Sequence, residues 1–196
     1  MKSISASDII ESLRAVGLSN GETVFLYTDL RAPGIIKKAK SRDQFCEIYL
    51  NSLINVIGSS GTIVVPTYTT QVARFDLDFI CEKTETPMGI FPEFIRSRPE
   101  SVRSLHPLFS LTALGPMADS ICNNNGTSSH GWNSPFDRML KNGAKILSIG
   151  LPFDYAVGIA HHLEAACGLP YVYNKLLKWK VVYKGMTLEH RFFASV

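Results

Sequence analysis

Apolar runs alternate with helical stripes along the chain, and their periods differ. Behind Ser5, Ala6, Ser7 and Asp8, which have the makings of a capping box, Ile9, Ile10, Leu13 and Val16 recur at helical spacing and stop at Gly17. Thr23 to Tyr27 is a short, continuous apolar run of strand-forming residues, the pattern of a buried strand. It enters a polar loop, Thr28 to Gly34, at the place where open α/β sheets bind ligands. Ser41 to Ile57 predicts the longest helix, with Ser41 and Gln44 as its capping box and Phe45, Ile48, Tyr49, Leu53 and Val56 as its buried stripe. Thr62 to Thr67 is a second strand that Pro66 ends or confines to an edge, because proline donates nothing to a ladder. Val72 to Pro87 has no clear period and reads as irregular.

Further on, Met88 to Ser97 predicts a helix and Phe109 to Leu114 a third strand. Ser134 and Pro135 suit N-cap and first-turn positions of a helix closed by Gly143. Lys145 to Gly150 is a fourth strand, and Gly158 to Gly168 a further helix. Lys178 to Tyr183 and Thr187 to Phe193, joined at Lys184 and Gly185, predict a terminal β-hairpin. Strands alternating with helices predict an α/β fold, a three-layer α/β/α sandwich, and the hairpin suggests that its central sheet is mixed.

Composition narrows the class without naming a function. The 196 residues are 45% hydrophobic and 19% charged, which suits one domain with a substantial core. A formal net charge of +3 falls well short of a nucleic-acid footprint, so no nucleic-acid partner is expected. Cys46, Cys81, Cys122 and Cys167 are widely spaced, a distribution that fits reduced thiols rather than a zinc knot. The first residues lack an apolar signal core and no stretch approaches membrane-spanning length. A cytoplasmic protein without a membrane partner is the expectation.

Chemistry concentrates in the helix from Gly158. His161 and Glu164 lie three residues apart, on one face and within reach of each other. A carboxylate beside an imidazole fixes its tautomer and stabilises the imidazolium, as a general base requires. His162 points about 100° away and is expected to have no such partner. Elsewhere, Arg103, Ser104 and His106 precede a strand, in a loop suited to an anion or a sugar hydroxyl. The polar loop from Asn123 to Ser134, with His130, opens onto a helix N-terminus. Lys37, Lys38, Lys40 and Arg42 form a basic run able to meet phosphates. His106, His130, His161 and Glu164 together would make a zinc site only if the fold gathered them. Dinucleotide, P-loop, hydrolase-elbow and zinc-protease motifs are absent from the sequence.

The ordered set of these segments resembles the aminoglycoside 3-N-acetyltransferase family, an antibiotic acetyltransferase fold outside the GNAT group. It comprises Gly61 to Thr67, Gly89 to Phe94, Arg103 to Pro107 with Ser110 and Gly115, His130 with Ser134 and Pro135, and His161 with Glu164. The resemblance implies a single domain over residues 1–196, shorter than the family at its C-terminal side. It implies acetyl-CoA as acyl donor, an amine of an aminoglycoside or other amino sugar as acceptor, and no metal. His161 and Glu164 match the family's catalytic pair, while Arg103, Ser104, His106 and His130 fall at the acceptor cleft.

Thr28, Asp29, Arg31, Lys37 and Lys38 fall where the donor would lie. The chain departs from the family at Tyr27-Thr28-Asp29, where His-Ser-Ser is usual, and at Gly158, where threonine is usual. Its net basic balance favours a less charged, for example nucleotide-linked, amino sugar over a polycationic drug. A homodimer is compatible with this reading, as is a remnant that binds CoA without turnover. A zinc hydrolase is the more distant alternative.

Overall fold

The computed structural model describes residues 3–123, 126–156 and 158–195. Its first helix, α1 (Ala6–Ala15), starts at a reciprocal capping box between Ser5 and Asp8 and buries Ile9 and Leu13. Strand β1 (Thr23–Thr28) is buried almost throughout. Helix α2 (Arg42–Ile57) is capped by Ser41, whose hydroxyl accepts from the Gln44 N–H. The box is not reciprocal, because the Gln44 side chain turns back to the Lys40 N–H instead.

Strand β2 (Thr62–Pro66) ends at its proline, as expected, yet lies in the sheet's interior. Two short elements, α3 (Thr70–Phe75) and β3 (Phe79–Ile80), occupy the stretch expected to be irregular. Then come α4 (Ile90–Arg96), β4 (Val102–Arg103), β5 (Leu111–Leu114), α5 (Ala118–Cys122), α6 (Pro135–Lys141) and β6 (Lys145–Ile149). After a 3₁₀ turn at Phe153–Ala156, α7 (Gly158–Cys167) leads to four small strands. They are β7 (Asn174–Leu176), β8 (Val181–Tyr183), β9 (Met186–Thr187) and β10 (Phe193–Ser195).

The main sheet has the order β4-β5-β2-β1-β6. β1 is parallel to both β2 and β6, while β5 is antiparallel to β2. The sheet is therefore mixed, but it is β5, antiparallel to both β2 and β4, that makes it so. The hairpin β8–β9 joins β3 in a separate three-stranded sheet, and β10 pairs with β7. Alternation along β1 divides the core. Val24 and Leu26 join Ile63 and Val65 beneath α1, α2 and α4. Phe25 and Tyr27 face Val64, Ala113, Ile121 and Phe136 under α5 and α6 on the opposite side. These are the two faces of a three-layer α/β/α sandwich.

The order has a functional consequence. From β1 the chain crosses to β2 on one side, and the later β6 pairs on the other. β1 is therefore a switch point, and the carboxyl ends of β1 and β6 flank the crevice where such sheets bind ligands. The two exits touch there: a Cβ on Gly150, just past β6, would collide with the Asp29 carbonyl oxygen past β1.

Candidate active site

α7 begins beside the end of β1 and carries the residues expected to be catalytic. His161 Nδ1 lies 3.0 Å from Glu164 Oε2, and Tyr171 donates to the other Glu164 oxygen at 3.4 Å. The His161 side chain is 66% exposed, so Nε2 remains open to a substrate. His162 behaves differently from expectation. It is buried, and its Nδ1 accepts the Gly131 backbone N–H at 3.1 Å, tying α7 to the polar loop before α6. His162 lies off the dyad's face, as its position in the helix predicts, but spacing gives a direction and not the partner packed there.

The His130 ring lies 6.0 Å from that of His161, centroid to centroid. It packs against Phe136 and Phe109, and burial pushes its pKa down to about 3. Its Nδ1 meets the Ser129 hydroxyl at 2.9 Å, and that oxygen also accepts the Ser195 N–H at 2.9 Å. The short β10 thus braces His130 from behind.

Arg103, Ser104 and His106, expected at the acceptor cleft, are buried and turned into the protein. The Arg103 guanidinium donates to Ser110 Oγ and to the carbonyls of Cys81, Thr84 and Thr67. Burial pulls its pKa down to about 10. Ser104 Oγ accepts the Leu111 N–H. His106 accepts from Phe109 N–H at Nδ1, and its Nε2 donates to the Phe193 carbonyl at 3.0 Å. All three cross-brace loops beside the site. Both His106 nitrogens are used, so the four-residue zinc arrangement does not form. Among the described residues no group of three or more His, Cys, Asp or Glu is brought together as a metal site.

The loop after β1 lines a cleft of about 430 Å³ formed by Thr28, Asp29, Leu30 and Arg31 with Pro87 to Ile90 and Leu151. Arg31 donates from Nε and Nη2 to the two Asp29 oxygens at 2.8 and 2.7 Å, which holds the Asp29 carboxyl down to about 2. Thr28, Asp29 and Arg31 are therefore brought together. Lys37 and Lys38 are exposed on a separate turn and do not line that cleft.

The two departures at Tyr27 and Gly158 meet in space. The Tyr27 hydroxyl lies 3.5 Å from that of Tyr68, beside the first residue of α7. A Cβ on Gly158 would overlap the Tyr27 hydroxyl and approach that of Tyr68 to 3.0 Å. A tyrosine at 27 therefore favours glycine at 158. Nothing in the periodicity signals this pairing, since the two positions lie on different elements far apart in sequence.

Comparison with known proteins agrees with this architecture. The chain is 27% identical over 186 residues to aminoglycoside N(3)-acetyltransferase VII of Streptomyces paromomycinus, covering 85% of this chain and 62% of that protein. To aminoglycoside N(3)-acetyltransferase III of Serratia marcescens it is 25% identical over 185 residues, covering 83% and 64%. The chain thus spans less than two thirds of the length of these relatives. Among solved structures, aminoglycoside acetyltransferase AAC(3)-Xa superposes with a TM-score of 0.79 at 26% identity, over 98% of this chain and 72% of that one. AAC-IIIb in a binary complex with CoASH shares the fold, with a TM-score of 0.82 at 19% identity over 99% and 76%. No helix among the described residues is long and apolar enough to cross a membrane. The family model for aminoglycoside 3-N-acetyltransferases matches residues 35–185, and the chain belongs to that family.

Proposed function

We propose that the protein is an acyl-CoA-dependent N-acyltransferase that transfers an acetyl group directly to an amine of an aminoglycoside or related amino sugar. The observation that carries this reading is the His161–Glu164 pair at 3.0 Å, with His161 open at the switch-point crevice. An amino-sugar nitrogen is mostly protonated near neutrality and must lose a proton before it attacks a thioester. That proton is lost to solvent, and as the neutral amine attacks His161 takes the second proton through Nε2, while Glu164 orients the ring and stabilises the imidazolium.

Acyl-CoA is assigned to the cleft of Thr28, Asp29 and Arg31. Its position at the carboxyl end of β1 and its volume of about 430 Å³ support this. The exposed Lys37 and Lys38 remain available to phosphates that extend beyond the cleft. A covalent route through Cys167 is disfavoured: the thiol is exposed at the C-terminal end of α7, where the helix dipole opposes a thiolate.

Thiol release from acetyl-CoA with a panel of amino sugars tests the activity. His161→Ala should lose at least about a hundredfold in kcat, and Glu164→Gln less, with a shifted pH–rate profile. CoA binding without thiol release from any acceptor would favour the non-catalytic remnant. Full activity in His161→Ala would overturn the base.

A further inference from the structure

We propose that His130 is a second catalytic imidazole, whose Nε2–H donates a hydrogen bond to the acyl carbonyl oxygen of the thioester as the amine attacks. The inference rests on the acyltransferase reading and goes beyond it by assigning the group that receives the developing negative charge.

The tautomer follows from hydrogen-bond bookkeeping. The Ser129 hydroxyl is buried, and its oxygen already accepts the Ser195 N–H. Among the described residues the only acceptor within hydrogen-bond distance of its hydrogen is His130 Nδ1, at 2.9 Å. A buried hydroxyl that failed to donate would leave a costly unmade bond. Nδ1 therefore accepts, and the ring proton resides on Nε2. The ring's one hydrogen bond to protein among the described residues is through Nδ1, which leaves Nε2 unclaimed on a side chain only 3% exposed. It is a donor fixed from behind and unclaimed in front.

The site also favours a neutral ring. Burial and the neighbouring histidines His106, His161 and His162 all disfavour a charge on His130. A neutral imidazole that keeps its proton near pH 7 can act as an electrophilic hydrogen-bond donor without competing as a base. His161 is the exposed, carboxylate-paired ring and takes the opposite part. The 6.0 Å between the two ring centroids brings both within hydrogen-bond reach of one reacting centre.

The step balances. The amine nitrogen bonds to the thioester carbon, and the carbonyl π pair moves onto oxygen, held by His130 Nε2–H. His161 Nε2 takes the amine proton. The carbonyl re-forms as the C–S bond breaks, and CoA leaves as a thiol with the proton from His161. No oxidant or metal enters the balance.

Steady-state kinetics and ¹⁵N-histidine NMR test the assignment on the full chain. His130→Ala should lose about a hundredfold in kcat, the low end for removing an oxyanion donor, with little change in KM for either substrate. His130→Gln, which keeps a side-chain N–H, should recover part of that loss and guards against misfolding in the alanine variant. The NMR spectrum should show His130 neutral and protonated at Nε2 from pH 5 to 8, and Ser129→Ala should mix its tautomers. An unchanged kcat in a folded variant, a loss confined to KM for the amine, or an Nδ1–H tautomer would each overturn the proposal. Failure of the wild type to release thiol would instead sink the acyltransferase reading and the carbonyl role with it. The tautomer measurement stands independently of that outcome.

Discussion

Replacing Gly158 by alanine tests whether the helix that carries His161 is seated on a tyrosine hydroxyl. Gly158 does not have a positive φ, so alanine meets no backbone penalty and the perturbation is purely steric. The added methyl would overlap the Tyr27 hydroxyl and lie 3.0 Å from Tyr68 Oη. Overpacking of this kind costs about 1–3 kcal/mol, against a helix-propensity gain of at most about 1 kcal/mol. Gly158→Ala should therefore lose about 1–2 kcal/mol, a fall of about 4 °C in Tm for a chain of this length. Tyr27→Phe alone gives up a long hydroxyl contact and a bond to the Gly158 N–H, about 1 kcal/mol.

The double variant is informative because the next Tyr27 atom, Cζ, lies 3.6 Å from the new methyl, an ordinary contact. Tyr27→Phe should rescue Gly158→Ala, with a coupling energy of about 1–2 kcal/mol in a double-mutant cycle. Urea unfolding of the four proteins supplies the cycle. Because Gly158 lies one turn before His161, kcat should fall in Gly158→Ala and recover in the double variant. Additive effects within about 0.3 kcal/mol, or an alanine variant as stable as wild type, would refute the seating argument.

Two further outcomes follow from the buried polar groups. Arg103→Met should cost about 3 kcal/mol or more in urea unfolding, because it strips donors from the carbonyls of Thr67, Cys81 and Thr84; a stable variant with a raised amine KM would return Arg103 to the acceptor site. For His106, burial lowers the folded-state pKa to about 4, so the unfolded chain binds more protons below its own value of about 6.5. Its contribution is complete above about 6.5 and is lost as pH falls towards 4, reaching a loss of about 2 kcal/mol at pH 5. His130 and His162, also shifted downwards, add to the same slope. Urea midpoints at pH 7 and 5 should separate more in the wild type than in His106→Gln, and identical separations would contradict the assignment.

What the sequence made legible is what is local. The capping residues Ser5, Ser41 and Ser134, the buried run of β1 and the i,i+3 geometry of His161 and Glu164 depend on neighbours within a turn or a strand. Elements shorter than about two periods left no such trace. α5 and α3 span five and six residues, too few for a helical stripe to declare itself. The hairpin was recognisable, but its pairing with β3 was not, because that partner comes from another part of the chain.

The same division runs through the site. Histidine, arginine and serine are the residues that chemistry requires, and they are equally the residues that satisfy buried carbonyls and amides. Arg103 and His106 were read as ligand groups from type and context, and only their long-range partners show that they brace loops. His130 has the same residue type and comparable burial, yet its fixed nitrogen faces the brace and its other nitrogen is unclaimed. His106 spends both ring nitrogens on the fold, whereas His130 and His162 are each held through Nδ1, and what sets His130 apart is its ring 6.0 Å from that of His161. That is a property of packing across elements, which no spacing rule along α7 or its preceding loop can encode.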